Sequence, residues 1–167
     1  MPTLDLNGPI LATKVICNRE TVAEDVTISL PEGTLQTVDF NALGTLSLSI
    51  PMTDNLEATI TGVGLDKGLF KLLGPESHEY EFRMVQNVTK RDGSQNNIGI
   101  KAFITGSSPS IIGGDKEVGS ISNSNISITA TRYRLVIDGE EVMLIDKLKG
   151  ILRLNGKDYA EDIYSLI

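Results

Sequence analysis

The chain has 167 residues and a mass of 18.0 kDa, which is the size of one domain. Apolar residues make up 40% and charged residues 22%, a globular composition that excludes wholesale disorder. The net charge of −7 argues against a nucleic-acid binding site, because such a site needs basic clusters to displace counterions from the phosphates.

The chain offers little material for catalysis or metal binding. One cysteine, Cys17, permits no intramolecular disulfide, and one histidine, His78, removes multi-histidine sites. Cys17 follows an apolar pair and is interpreted as a small buried hydrophobe. His78 lies among glutamates and is interpreted as a surface turn residue. We therefore predict no catalytic residues, no cofactor and no metal.

Targeting and membrane signals are also missing from the sequence. Residues Met1–Asn7 have neither a basic segment nor a long apolar one, so we expect no signal peptide. No stretch approaches 18 uninterrupted apolar residues, so we expect no membrane span. These features predict a soluble, acidic protein made in a reducing compartment.

Alternation of apolar and polar residues dominates the chain and predicts strands with one buried and one wet face. The clearest runs are Val26–Leu30, Leu56–Thr61, Tyr80–Met84, Ile98–Ile104 and Ile126–Ala130. After the last run the apolar positions change from even to odd numbers, which predicts a bulge or a change of covering layer near Ala130–Arg132.

The C-terminal third predicts tight hairpins. Asp138-Gly139 lies between two strand-like runs and favours a type I′ turn, because both central residues of that turn need a positive φ. Return strands are predicted at Glu141–Asp146 and Gly150–Leu154, the second closing at Asn155-Gly156.

Two segments predict helices. Leucines with helical spacing between Leu65 and Leu73 stop at Gly74-Pro75, and Asp158–Ile167 forms a second short run. Gly62-Val63-Gly64 is interpreted as a turn that enters the first helix, since it lacks the remaining residues of a phosphate-binding loop. The fold class predicted is mainly β: a two-sheet antiparallel β-sandwich or barrel with one flanking short α-helix and a second helix at the C-terminus.

Three segments fit no regular element well, namely Leu35–Pro51, Asn87–Asn97 and the Gly/Ser-rich Ser107–Ser122. Leu46, Leu48 and Ile50 alternate, so we expect a protruding loop or hairpin at about residues 33–51 of a single domain spanning 1–167. Asn87–Asn97 is interpreted as an exposed turn. Long irregular stretches in compact domains are usually functional or bind partners.

Small hydroxyl side chains are frequent on the polar strand faces. They are Thr27, Ser29, Thr59, Thr61, Thr105, Ser127, Thr129 and Thr131. One interpretation is ordinary β-propensity on a solvated face. The other is a smooth, weakly interacting polar wall.

Three stretches of the C-terminal third carry a specific pattern: Thr131–Val142, Leu144–Asp146 and Ile151–Tyr159. In this order and spacing they resemble the closing strand pair, the Ile-Asp and the Asn-Gly-x-Asp of the major tail tube proteins of contractile-tailed (myovirus-type) bacteriophages. R-type pyocin tube proteins share this pattern. Val26–Pro31 and Leu56–Gly74 are similar to the family's early strand and its strand-helix unit.

The resemblance implies a non-enzymatic structural subunit. Six copies would form a ring, and rings would stack into a hollow tube that conducts DNA through the tail on contraction. The implied partners are further copies of the chain, the tail sheath protein, the tape measure protein, and the baseplate and tail terminator proteins, with transient non-specific passage of DNA and no membrane. The implied location is the virion tail, assembled in the bacterial host cytoplasm.

Two surfaces follow as hypotheses from this resemblance. The lumen-facing candidates are Thr27, Ser29, Glu57, Thr59, Thr61, Ser127, Thr129 and Thr131. Lys101 is a further candidate and differs from the others because it is positively charged. The inter-ring candidates are Leu46, Leu48 and Ile50. The alternatives are a tube subunit of a contractile bacteriocin or injection system and, in a different class, a non-enzymatic β-sandwich module that binds a ligand such as carbohydrate, which the lack of tryptophan disfavours.

Overall fold

The computed structural model describes residues 5–167; the first four residues, where the N-terminal segment considered above begins, lie outside this range. Between these limits the chain forms strands and two short helices. The strands are β1 (Leu6–Cys17), β2 (Glu20–Glu24), β3 (Thr27–Ser29), β4 (Leu35–Asn41), β5 (Thr45–Thr53), β6 (Leu56–Val63), β7 (Gly74–Thr89), β8 (Gln95–Ser108), β9 (Asn123–Ile137), β10 (Glu140–Asp146), β11 (Ile151–Leu154) and β12 (Lys157–Asp158). The helices are α1 (Lys67–Phe70) and α2 (Glu161–Ser165).

Ten of these strands form one antiparallel sheet that branches at β9. Its main path runs β12-β11-β10-β9-β8-β7-β1-β2. One edge of β9 pairs with β8, while the other edge is shared by β6 along residues 123–130 and β10 along residues 132–137. β3 extends the β6 branch, and β4 with β5 forms a separate two-stranded hairpin.

The inner faces of both branches enclose one hydrophobic core. Ile60 of β6, Phe82 of β7 and Ile128 of β9 are fully buried in the same cluster, although β6 and β7 do not pair. Leu69 and Leu72, on and just after α1, are buried in it too. The mainly β, antiparallel architecture with a small flanking helix and a C-terminal helix is therefore confirmed.

The predicted bulge near Ala130–Arg132 is confirmed. Ala130 pairs with Gly106 and Arg132 pairs with Thr105, which leaves Thr131 without a cross-strand partner in β8. The extra residue moves the buried positions of β9 from even to odd numbers. At the same point the other edge of β9 changes its partner from β6 to β10.

The two predicted tight turns are also confirmed. Asp138 and Gly139 have φ values of 51° and 80°, and Asn155 and Gly156 have values of 51° and 84°. Each pair joins antiparallel strands directly, as type I′ turns do.

The predicted helices are shorter than expected. Only Lys67–Phe70 of the segment between Leu65 and Leu73 is α-helical, because the chain then continues in i→i+3 bonds, such as Leu72 N–H to the Leu69 carbonyl at 3.2 Å. Gly62-Val63 belongs to β6, so its interpretation as a turn is wrong. At the C-terminus α2 covers only Glu161–Ser165.

Other local interpretations need correction. β1 and β2 were not predicted, because only the last residues of β1 are buried and no clear alternation marks the rest. Their turn, Asn18-Arg19, has positive φ at both residues without a glycine. His78 is not a turn residue: it is half-buried in β7, with Nδ1 3.1 Å from Asn18 Nδ2. The turn expected across Asn87–Asn97 is confined to residues 90–94, since β7 and β8 extend around it.

Candidate assembly surfaces

Short polar side chains of β3, β6 and β9 lie opposite one another on the outward side of the sheet. Alternate residues of β6 are buried, so the intervening residues point away from the core. Thr59 pairs with Ser29 on one side and Ser127 on the other, and Glu57 pairs with Thr129. We call this surface the hydroxyl face; its members are Thr27, Ser29, Glu57, Thr59, Thr61, Ser127 and Thr129.

The remaining two lumen candidates lie apart from the hydroxyl face. Lys101 is on the outward side of β8 but beyond the bulge, paired with Arg83 and Val136. Thr131 is the bulge residue, and its hydroxyl donates to the Thr105 carbonyl at 3.1 Å. The sequence-based set is thus split into one contiguous surface and two separate positions.

The hydroxyl face is polar but sparsely charged. Glu57 is its one ionisable member, and it is exposed. The Thr61 hydroxyl donates to Asn125 Oδ1 at 3.0 Å, so part of the hydrogen-bonding capacity is used within the sheet. Such a surface offers mainly neutral hydroxyl groups and one negative charge per subunit.

Beyond the bulge the same outward side becomes strongly charged. Glu141 accepts from Arg134 Nε at 3.0 Å and from Arg153 Nη1 at 3.2 Å. The Arg134 guanidinium also lies 5.6 Å from the centre of the Phe103 ring. The bulge in β9 therefore separates a hydroxyl region from a network of ion pairs.

The β4–β5 hairpin has one apolar and one polar face. Val38 pairs with Leu48 and Phe40 pairs with Leu46, and residues paired directly across a ladder point to the same side. The opposite side carries the polar pairs, including Asp39 with Ser47, whose hydroxyl donates to the Asp39 carboxylate. We call the first side the apolar hairpin face.

No layer formed by residues 5–167 covers that apolar face. Phe40 is 51% exposed, Leu46 47% and Leu48 45%, while Ile50, nearer the root, is half-buried. Val38 and Phe40 were not among the sequence candidates. The cross-strand register reveals them, and alternation in β5 alone could not.

The root of the hairpin is fixed to the core region. Leu35 packs against the core cluster, and Lys147 Nζ donates to the Asp54 carbonyl at 2.5 Å. A groove of about 650 Å³ beside the root is lined mainly by apolar side chains, among them Leu56, Met143 and Leu154. The hairpin therefore leaves the body at the junction between β6 and β10.

The reactive groups singled out from the sequence lie in structural positions. Cys17 is buried, as predicted, and burial raises the pKa of its thiol. Burial also raises the pKa of Tyr133 to about 12. Over residues 5–167 no group of three or more His, Cys, Asp or Glu side chains could hold a metal ion. The same range contains no helix long and apolar enough to cross a membrane.

The chain belongs to the phage tail tube proteins, a class of structural virion proteins: a family model described as phage tail tube protein FII matches residues 10–167. Within that class it is similar to the tail tube protein of Escherichia phage P2, with 31% identity over 72 residues. That match covers 43% of this chain and 42% of the P2 protein, so it spans less than half of either. The resemblance seen in the sequence is confirmed, and the protein is a structural component of a phage tail.

Proposed function

We propose that six copies of this chain form a ring, that rings stack into a hollow tail tube, and that the hydroxyl face lines the lumen through which DNA passes. The observation that carries the proposal is the register of β3, β6 and β9, which gathers seven of the nine lumen candidates on one outward surface. Family membership supports the tube, and the register suggests which surface faces the DNA.

The strand arrangement gives such a lumen a suitable width. β3, β6, β9 and β8 are four adjacent strands in each subunit. Six subunits would contribute 24 strands, and at ~4.8 Å spacing and a tilt of roughly 40° these make a barrel about 50 Å across its backbone. Side chains inside such a barrel leave room for duplex DNA.

The charge of the chain also favours free passage. Six copies at −7 each would give a ring a net charge of −42. Only charges near the wall act on the DNA, since the Debye length is about 8 Å at physiological ionic strength. Glu57 would then repeat six times per ring among hydroxyl groups, which repels phosphate without offering a binding site.

The hairpin serves in this proposal as the contact between rings. Its apolar face is uncovered in the subunit, and burying it against the next ring would remove that surface from water. Leu46, Leu48 and Ile50 are the central contact residues, joined by Val38 and Phe40.

Further tail components complete the proposed assembly. We place the tube inside the tail sheath, around the tape measure protein, and between the baseplate and the tail terminator, with assembly in the bacterial cytoplasm. The similarity to the P2 tail tube protein favours a phage tail over a bacteriocin or an injection device.

An image reconstruction of tubes assembled from the purified protein tests the ring and its lumen. We expect six-fold rings with Thr59 and Thr129 pointing inward. As a functional check, Thr59→Lys and Ser127→Lys should make the tubes retain DNA at low salt. Rings in which the hydroxyl face points outward contradict the proposal.

Deletion of Thr37–Thr45 tests the hairpin. The shortened chain should remain a folded monomer that does not polymerise, because the hairpin pairs only with itself. A matched control changes one exposed residue of the polar face, Thr37→Ser, and should polymerise normally. Unchanged polymerisation of the deletion variant counts against the contact between rings.

A further inference from the structure

β6 connects two chain segments that carry exposed apolar side chains, one at each end of the strand. The hairpin leaves at the Leu56 end, since only Asp54 and Asn55 separate β5 from β6. At the other end the chain leaves β6 through Gly64, whose N–H donates to the Ser122 carbonyl at 2.7 Å. Eight residues of strand at ~3.3 Å per residue place these ends about 25 Å apart.

Large apolar side chains surround the far end of β6. Val63 is 71% exposed, Leu65 59%, Phe70 47% and Ile121 84%. The backbone places all four near one end of β6: Val63 ends β6, Leu65 precedes α1, Phe70 lies in α1, and Ile121 is next to Ser122, whose carbonyl accepts from the Gly64 N–H. We call these four residues the far-end patch.

We propose that the far-end patch of one copy receives the apolar hairpin face of a second copy. This inference rests on the proposed role of the hairpin between rings and names the surface that the hairpin contacts. The side chains of both surfaces are exposed in the subunit, so the two surfaces do not cover each other within it. The contact is therefore heterologous, with different surfaces on its two sides.

A heterologous contact of this kind suits a tube. It leaves a free hairpin at one end of every stack and a free patch at the other, so addition can continue without closing. A self-complementary contact between identical surfaces would stop after two layers. Since tail tube proteins assemble with themselves, a second copy is the occupant that family membership supports.

The two surfaces also match in chemistry. Both are apolar, and the side chains named for them are between 39% and 84% exposed. The charged neighbours of the patch, Asp66 and Lys67, flank Leu65 on one side. The polar face of the hairpin, with Asp39 and Ser47, stays toward water in this arrangement.

Mixing two assembly-deficient variants tests the inference. One variant lacks Thr37–Thr45 and keeps the patch. The other carries Leu65→Asp and Ile121→Asp and keeps the hairpin. Alone, the second should need at least ~10-fold more protein to polymerise, because a buried, unpaired carboxylate opposes the contact. Mixed, the two should form a complex that stops at two layers, seen by light scattering after size exclusion and by electron microscopy.

A matched control and a cross-link keep the result interpretable. Ser120→Asp adds charge beside Ile121 on an exposed polar residue and should polymerise normally. Chains with Leu48→Cys mixed with chains carrying Ile121→Cys should form a disulfide dimer under mild oxidation. Chains with Ser47→Cys, on the opposite hairpin face, should not. Cys17 is buried and does not compete.

The outcomes separate this inference from the proposal on which it rests. If the hairpin-deleted chain polymerises alone, the role of the hairpin between rings fails. If that chain does not polymerise but the doubly substituted chain does, the hairpin role stands and the far-end patch is overturned. Absence of both the mixed complex and the Leu48–Ile121 cross-link, with both chains folded, also overturns the patch.

Discussion

β5 and β6 are consecutive strands with the same alternation of apolar and polar residues but opposite surroundings. In β6 the apolar residues Leu56, Ala58 and Ile60 are all buried in the core. In β5 the corresponding residues, Leu46 and Leu48, remain nearly half exposed. Alternation therefore predicts that a strand has two unlike faces, and it does not tell whether the covering layer belongs to the same molecule.

The difference has a physical origin in the partners of each strand. β6 pairs with β3 and β9, and its inner face meets β7, β8 and α1 across the core. Among the described strands β5 pairs with β4 alone, and a two-stranded ribbon has no second layer. The exposed apolar side of this ribbon adds little stability to the monomer. This suggests that its burial stabilises a contact with another molecule.

Matched truncations in the two strands give the largest expected difference. Ile60→Ala should lower the free energy of unfolding by about 2–5 kcal/mol, because Ile60 is fully buried and its removal leaves a cavity. Leu48→Ala should change it by about 1 kcal/mol or less, since nearly half of the side chain is already exposed to water. Urea titration below the concentration of assembly measures both. Equal losses would show that the hairpin is covered within the monomer.

A substitution at the branch of the sheet should have the next largest effect. A Cβ added at Gly106 would lie 2.0 Å from the Thr129 carbonyl oxygen, so Gly106→Ala must push β8 and β9 apart at the bulge. We expect a loss of about 1–3 kcal/mol in the free energy of unfolding. Gly99→Ala, in the same strand with no atom within 4 Å of the added Cβ, is the control. A tolerated Gly106→Ala would mean that the bulge is not closely packed.

Much of the fold was predictable from the sequence, and the elements that were missed are those with weak sequence patterns. The bulge was predictable because one extra residue shifts the buried positions of β9, and Asp138-Gly139 because two positive φ values require such residues. β1 was not predicted because none of its first nine residues is buried, so no alternation of buried and exposed positions marks it. The Asn18-Arg19 turn was not predicted, because neither residue is glycine although both have a positive φ.

The candidate surfaces were predictable only in part. Alternation identified the members of the hydroxyl face one strand at a time, but their contiguity depends on β3, β6 and β9 being neighbours, which no single strand reveals. Lys101 and Thr131 fell outside the contiguous surface for the same reason. The apolar hairpin face required the pairing of β4 with β5, and the far-end patch required the bond from Gly64 to Ser122.

A single buried hydrogen bond tests how α1 is held to the core. The Tyr80 hydroxyl donates to the Leu72 carbonyl at 2.7 Å, and burial raises the pKa of Tyr80, so the group stays protonated. Tyr80→Phe should cost about 1 kcal/mol in the free energy of unfolding, because the Leu72 carbonyl loses its donor. Tyr133→Phe, a buried tyrosine with no such hydrogen bond, should cost less. Equal costs would show that the hydrogen bond contributes nothing specific.

The smallest effect is expected in the ion pairs beyond the bulge. Glu141→Gln removes the charge shared by Arg134 and Arg153, whose side chains are 40% and 38% exposed. Partly exposed pairs of this kind contribute at most about 1 kcal/mol, and salt weakens them further. The loss measured in 50 mM salt should therefore shrink in 500 mM salt, whereas the loss from Ile60→Ala should not. A loss at Glu141 that does not change with salt would mean that these ion pairs are shielded from solvent in the monomer. The difference in salt response between Ile60 and Glu141 could then not be explained by burial.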